Sequence, residues 1–377
     1  MPKLFFAFSF CVCVWFFCCL FLMKGIIFVL ILASLAVGFA SLRAYNFNGN
    51  PLAWFKGAPM ASLSTNLEGS TVLVTGGNTG IGKETVTALL GMGADVLVGC
   101  RSLERCQAAF SQGGIEAGAK AIAAKRGSSA RVGKFRPEKL DLGSFSSIKA
   151  FAGRLAADGT VLNVLVDNAA VLSVSSEQTL TEDGLGLIMG TNHYGVYLLT
   201  RLLVPALEGG AKRNGTPSRI VVVSSEAHRS GGAFDLEDID RRVHSDSVME
   251  QIHVYSQSKL ANIFFARELS RRFQAQNVPI TVNSNHPGFI RTDLTRNVEG
   301  GVFRFLIEVF LTLTALNSWE GAQNTIYLAS SPDVAPLTGH YFVHFNRTPV
   351  ELGPYPDLIQ KLLWDHSAQV TGLPLGF

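Results

Sequence analysis

The chain opens with two uncharged apolar runs, Leu4 to Met23 and Gly25 to Leu42, separated by Lys24. Each is long enough to cross a hydrocarbon core of about 30 Å as a helix. Lys24 and Gly25 leave too little chain for a comfortable hairpin of two full spans. Residues 1–45 therefore read as an N-terminal membrane anchor with one span plus an apolar extension, and a helical hairpin is the second choice. A cleaved signal peptide, with Gly38-Phe39-Ala40 as its small-residue site, would need an apolar core far longer than the usual ~7–15 residues. Residues 46–66, containing Asn50-Pro51, Gly57 and Pro59, form a turn-rich linker.

Beyond the linker, short β-branched runs alternate with helical patterns. Strands are expected at Thr71–Thr75, Asp95–Gly99, a stretch ending near Leu140, Leu162–Val166, Arg219–Val223, Ile280–Ser284 and His340–Val343. Helices are expected to begin near Gly80, Leu103, Ser144, Glu182, Tyr255 and Glu320. This alternation predicts an α/β fold: a doubly wound, Rossmann-type parallel sheet. A single catalytic domain would span residues 67–335, with a last strand and tail over 336–377.

Composition changes the picture in three places. Hydrophobic residues make up 47% and charged residues 16%, an apolar excess concentrated in the N-terminal tract. The net charge of +3 is spread along the chain with no basic cluster on one element, which argues against a nucleic-acid surface. Of the six cysteines, Cys11, Cys13, Cys18 and Cys19 lie in the tract, leaving Cys100 and Cys106 for the folded part. No disulfide framework or metal-ligand spacing is expected, so nothing demands an oxidising lumen. Arg43 and Lys56 after the tract outweigh Lys3 before it, which places the domain in the cytosol at the endoplasmic reticulum or another intracellular membrane.

The first expected strand runs into Gly76-Gly77-Asn78-Thr79-Gly80-Ile81-Gly82 and then a helix. Glycines there let the backbone turn off the strand and let a pyrophosphate approach, while the helix offers unpaired N–H groups and its positive dipole end. Strand before and helix after are what separate a nucleotide site from an ordinary turn. Tyr255 and Lys259, four apart on one helix, project from the same face. A phenol of pKa ~10 is a poor base near neutrality, and a nearby ammonium is expected to lower that value. The strand Arg219–Val223 delivers Ser224-Ser225 to the carboxyl edge of the sheet, where open α/β sheets bind ligands.

The spacing of Gly76, Gly80 and Gly82, together with Tyr255-Ser256-Gln257-Ser258-Lys259, resembles the short-chain dehydrogenase/reductase family, and the resemblance continues to about Asp333. The run Tyr255 to Asn262 followed by His286-Pro287-Gly288 resembles its retinol-dehydrogenase branch. The resemblance implies that Ser225 is the catalytic serine, with Ser224 as fallback, and that Asn192 holds a water relaying protons to Lys259. A purely structural role for Asn192 stays open. It also implies adenine contacts at Asp141-Leu142, a structural turn at Asn168, and nicotinamide contacts at Pro287, Gly288 and Thr292. Where the family reads Asn-Asn-Ala-Gly, this chain has Asp167-Asn168-Ala169-Ala170, implying a preserved turn and a tighter pocket. The segment Leu103 to Lys139 is longer than the branch implies, and its Ala/Gly/Lys content predicts an exposed helical extension.

Cys100 stands where an NAD enzyme of this family places an acid, and Arg101 follows it. A guanidinium can grip a 2′-phosphate bidentately, whereas a carboxylate would repel it. The expected cofactor is NADP(H), held in part by Tyr255 and Lys259. The expected reaction interconverts a carbonyl and an alcohol on a hydrophobic partner, a retinoid, steroid or fatty aldehyde or ketone. The apolar segment Phe303 to Leu316 follows Thr292 at the place of the family's substrate lid, with a core or homodimer-interface helix as the bland alternative. A catalytically idle cofactor-binding sensor or scaffold is the rival function, and a membrane structural protein the second. The complete Asn192, Ser225, Tyr255 and Lys259 set weighs against both.

Overall fold

The computed structural model describes residues 60–172, 180–232, 234, 248–288 and 316–376. The N-terminal tract, Thr292 and residues 303–315 lie outside the described residues, and among those described no helix is long and apolar enough to cross a membrane.

Strand residues alternate between two buried faces, as they must when helices cover both sides of a sheet. Leu73, Leu97, Leu165 and Ile220 face one apolar core, while Val72, Val74, Val96, Val98, Val164, Val166 and Val221 face the other. The strands are β1 (Thr71–Thr75), β2 (Asp95–Cys100), β3 (Phe135–Lys139), β4 (Val164–Asp167), β5 (Ser218–Val223), β6 (Ile280–His286), β7 (Tyr341–Val343) and β8 (Asn346–Arg347). Their order is β3-β2-β1-β4-β5-β6-β7-β8, parallel throughout except that β8 runs antiparallel to β7. The chain reverses direction across the sheet between β1 and β4, and the crevice beyond their carboxyl ends is where such sheets take ligands.

The helices are α1 (Gly80–Gly91), α2 (Leu103–Ser111), α3 (Ile115–Arg126), α4 (Phe145–Ala157), α5 (Gly195–Asn214), α6 (Val248–Ala275), α7 (Ser318–Ser330) and α8 (Pro356–Thr371). Helix α5 is entered through a short turn at Leu187–Met189 and a π-helical turn at Gly190–Tyr194. All described residues fall within one compact unit.

Several elements depart from the expectation. Two helices, not one exposed extension, lie between Leu103 and Arg126, ahead of β3. The second, α3, buries Ile115, Ala119 and Ala123, and a Cβ on Gly91 of α1 would strike Ile122 at 2.6 Å. The helix expected near Glu182 starts only at Leu187. Glu182 and Asp183 instead serve the start of α4, accepting from Ser144 Oγ at 2.6 Å and from the Phe145 amide at 2.9 Å. Helix α6 begins at Val248, seven residues before Tyr255, because no glycine or proline interrupts the turns upstream. The expected tail contains α8, whose Trp364 and Ala368 are buried in the main core. Cys100 and Cys106, expected to be free, are joined as a disulfide.

Candidate active site

The glycine loop rises from β1 and is held by its neighbour strand. Gly76 has φ +65°, a left-handed conformation that favours glycine. A Cβ at Gly82 would overlap the Gly76 carbonyl oxygen and lie 2.5 Å from the Asn168 amide nitrogen. Asn168 Nδ2 donates to the Thr75 carbonyl at 2.9 Å, and the backbone amides of Asn168 and Ala169 both donate to Thr75 Oγ1 at 3.0 Å. The turn at Asn168 is thus preserved, with Ala170 exposed beside it. Thr79 precedes α1 without capping it through its side chain, and the helix's first turn carries no acid. Its free N–H groups, ringed by Asn78, Thr79, Gly80 and Ile81, form a cradle that fits a pyrophosphate.

Along the same edge, Arg101 is exposed at the end of β2, and its carbonyl accepts from Lys139 Nζ at 2.6 Å. Asp141 turns back to accept from the Gly143 amide at 3.0 Å, and Leu142 is buried beneath it. Pro287 and Gly288 follow β6, with Gly288 at φ +94°. The expected cofactor residues from Gly76 to Gly288 therefore share one edge of the sheet. Thr292 lies outside the described residues.

Three separate segments converge at the catalytic end. Ser224 is buried and its hydroxyl donates to the Lys259 carbonyl at 2.7 Å, so it is committed to the backbone. Ser225 Oγ instead accepts from the Ala227 amide at 3.2 Å, and its hydroxyl lies near enough to the Tyr255 phenol to draw its pKa down. The turn carrying Ser225 is pinned from behind, by His228 Nδ1 against its carbonyl at 2.6 Å and by His286 Nδ1 accepting from the Glu226 amide at 3.2 Å. Lys259 Nζ donates to the Val223 carbonyl at 3.1 Å and sits 5.5 Å from the Tyr255 ring centre.

Burial governs both titrating groups. It pushes the Tyr255 phenol up to about 12, opposed in part by the neighbouring Ser225 hydroxyl, and pushes Lys259 down to about 8. The expected lowering of the tyrosine by its neighbour is not what the geometry produces. Lys259 Nζ is directed at the Val223 carbonyl, and desolvation of the phenolate is the largest influence on Tyr255.

Asn192 lies in the π-helical turn, fully buried. It accepts from the Val171 amide at 2.8 Å, donates to the Val171 carbonyl at 2.9 Å and donates to Ser258 Oγ at 3.1 Å. Ser258 in turn donates to the Tyr255 carbonyl at 2.7 Å. Ser258 was not singled out in the sequence; its place inside the Tyr255–Lys259 interval was the only signal. Another residue missed as a site feature is Asp167. It is buried with Oδ2 accepting from Thr200 at 2.9 Å and Oδ1 without a partner, and burial raises it to about 7. Among the described residues no cluster of metal-binding type is present.

Residues 70–235 match the family model described as short chain dehydrogenase. The chain is 37% identical over 314 residues to human (Homo sapiens) retinol dehydrogenase 14, covering 81% of this chain and 88% of that one. It is 35% identical over 316 residues to mouse (Mus musculus) retinol dehydrogenase 13, covering 82% and 86%. A solved structure of an uncharacterized protein from Mycobacterium Paratuberculosis superposes with a TM-score of 0.59 at 29% identity, over 84% of this chain and all (100%) of that one. The Pseudomonas aeruginosa RhlG/NADP active-site complex shares the fold, with a TM-score of 0.54 at 23% identity over 76% and 97% of the two chains. With the glycine cradle, the Ser225–Tyr255–Lys259 convergence and these relatives in view, the chain belongs to the short-chain dehydrogenase/reductase family, in its retinol-dehydrogenase-like branch.

Proposed function

We propose that this oxidoreductase is NADP(H)-dependent and interconverts a carbonyl and an alcohol on a hydrophobic substrate, of which a retinoid, a steroid or a fatty aldehyde or ketone are the candidates. The observation that carries the reading is that Ser224 is tied to the Lys259 carbonyl, which leaves Ser225 as the serine beside the Tyr255 phenol. A bound nicotinamide supplies or accepts the hydride. Tyr255 donates the proton to the carbonyl oxygen, and Ser225 hydrogen-bonds that same oxygen and polarises it. A phenol held at about 12 is protonated throughout the physiological range, so it is ready as a donor. In the oxidative direction it must first lose that proton, which burial opposes and a charged Lys259 would assist. With NADP(H), reduction is the favoured cellular direction, because that pool is kept reduced. Asn192, through Ser258, positions the backbone of Tyr255.

For the cofactor, support comes from the absence of an acid at Cys100, the exposed guanidinium of Arg101, and the adjacent ammonium of Lys139. For the substrate, support comes from the printed names of the relatives, retinol dehydrogenases 13 and 14, and from the apolar N-terminal tract, which would hold the enzyme at an intracellular membrane with the domain in the cytosol. The test is a steady-state assay of the full-length protein in detergent with NADPH and NADH against all-trans-retinal, a steroid ketone, a long-chain aldehyde and a short water-soluble aldehyde. Turnover of the apolar carbonyls with NADPH is the expected result. NADPH binding with no turnover on any of them would establish the idle-sensor reading instead.

A further inference from the structure

The disulfide flanks Arg101, the residue proposed to hold the 2′-phosphate. Cys100 is the last residue of β2, Cys106 lies in the second turn of α2, and their Cα atoms are 6.4 Å apart, within the range a disulfide spans. The bridge encloses Arg101, Ser102, Leu103, Glu104 and Arg105. Four of these belong to an exposed edge: Arg101, Leu103, Glu104 and Arg105 all face solvent.

Helix α2 has little else to hold it. Cys106 is its only fully buried side chain, and Ala109 and Phe110 add partly buried contacts, with Phe110 stacked on Phe135 at 4.4 Å between ring centres. Both sulfurs lie near one carbonyl, Cys100 Sγ at 3.4 Å and Cys106 Sγ at 3.9 Å from the Val98 oxygen. A reduced pair would therefore find an acceptor where it stands. The fold accommodates the dithiol and the disulfide alike, and what differs is the covalent tether across the turn that carries Arg101.

We infer that Cys100 and Cys106 form a thiol–disulfide site that sets NADP(H) affinity by fixing or releasing the Arg101 turn. The inference rests on the assignment of Arg101 to the 2′-phosphate. Oxidised, the turn is tied to the sheet by the bridge on one side and by the Lys139 bond to the Arg101 carbonyl on the other. The guanidinium then gives up less freedom on gripping a phosphate. In a reducing compartment such a bridge is a transient, sensing feature rather than a structural staple.

The exchange needs a dithiol reductant. Its thiolate attacks one sulfur of the bridge, breaking the S–S bond and forming a mixed disulfide. The second thiol of the reductant then displaces the remaining protein thiolate. The reductant leaves as a disulfide, and the two protein sulfurs take up two electrons and two protons. Both sulfurs are buried, so attack waits for α2 to lift from the sheet.

The experiment uses the full-length protein in detergent, oxidised with diamide or reduced with dithiothreitol. Differential alkylation and mass spectrometry of the peptide carrying Cys100 and Cys106 report their state, separately from the four cysteines of the apolar tract. NADPH and NADH titrations by nucleotide fluorescence report affinity. The oxidised protein should bind NADPH roughly three- to tenfold tighter than the reduced one, the worth of one immobilised side chain, with NADH little changed. Cys106→Ser and Cys106→Ala should both show the reduced affinity under either treatment, with near wild-type melting in dithiothreitol. Alkylation of both cysteines after oxidation, or equal NADPH affinities in the two states, overturns the inference. NADPH binding no tighter than NADH in both states would overturn the cofactor assignment and this inference with it, whereas a retained NADPH preference of equal size in both states sinks the redox inference alone.

Discussion

Ser224 Oγ donates to the main-chain carbonyl of Lys259 at 2.7 Å, and this bond decides which of two adjacent serines meets the substrate. It ties the end of β5 to the catalytic helix and leaves Ser225 for Tyr255. Ser225→Ala should lower kcat/KM by about a hundredfold, as expected for one oxygen-polarising donor, with little loss of stability. Ser224→Ala should leave the pH–rate profile intact and destabilise by about 1–3 kcal/mol, because the Lys259 carbonyl loses its buried partner. Kinetics and denaturant melts of the two variants check the assignment. A larger catalytic loss in Ser224→Ala would reverse it.

Tyr255→Phe should cut turnover by ~10²–10⁴-fold while NADPH binding survives, since only the proton-bearing oxygen is removed. Residual activity within a few-fold of wild type would refute its role.

Lys259 is a buried cation whose value falls to about 8. The folded state therefore releases its proton before the unfolded chain does. The cost of holding the charge is full below about pH 8 and disappears as pH rises toward the ordinary lysine range. Lys259→Met should abolish turnover yet raise stability at pH 7 by on the order of 2 kcal/mol, less whatever the Val223 carbonyl loses. Urea midpoints at pH 7 and pH 10 test this, the gain shrinking at the higher pH. In the wild type, loss of the ammonium should make reductive turnover decline above about pH 8.

Asp167 presents the opposite sign. Burial raises it to about 7, so the stability it contributes is complete in acid and is lost as pH climbs from the ordinary carboxylate range through about 7. Asp167→Asn keeps an acceptor for Thr200 and removes the charge. It should stabilise the protein at pH 8 by a few kcal/mol (order of magnitude from a shift of this size) and do nothing at pH 4. Melting temperatures at the two pH values decide it; an equal change at both would mean the carboxyl is not the source.

Arg101→Asp should reverse the preference for NADPH over NADH, by removing a phosphate clamp and adding repulsion. Coenzyme titrations of the reduced proteins check it, and an unchanged ratio would make Arg101 a surface residue.

What the sequence determined by itself is what local periodicity can carry. The alternation of Val72, Leu73 and Val74, repeated at Val96, Leu97 and Val98, specifies strands buried on both faces. The glycine spacing after β1 announces a turn that admits no Cβ at Gly82, and the four-residue interval from Tyr255 to Lys259 places two groups on one helix face. The tertiary structure decided the rest, because those outcomes depend on atoms brought together across the sheet. Ser224 meets Lys259 only when β5 packs on α6, and Asp167 meets Thr200 only when α5 packs over β4. Glu182 and Asp183 look like the first turn of a helix until α4 presents its unpaired amide and Ser144 to them. Tyr255 is driven up rather than down because desolvation is set by the depth of the completed fold, and no spacing in the chain encodes that depth.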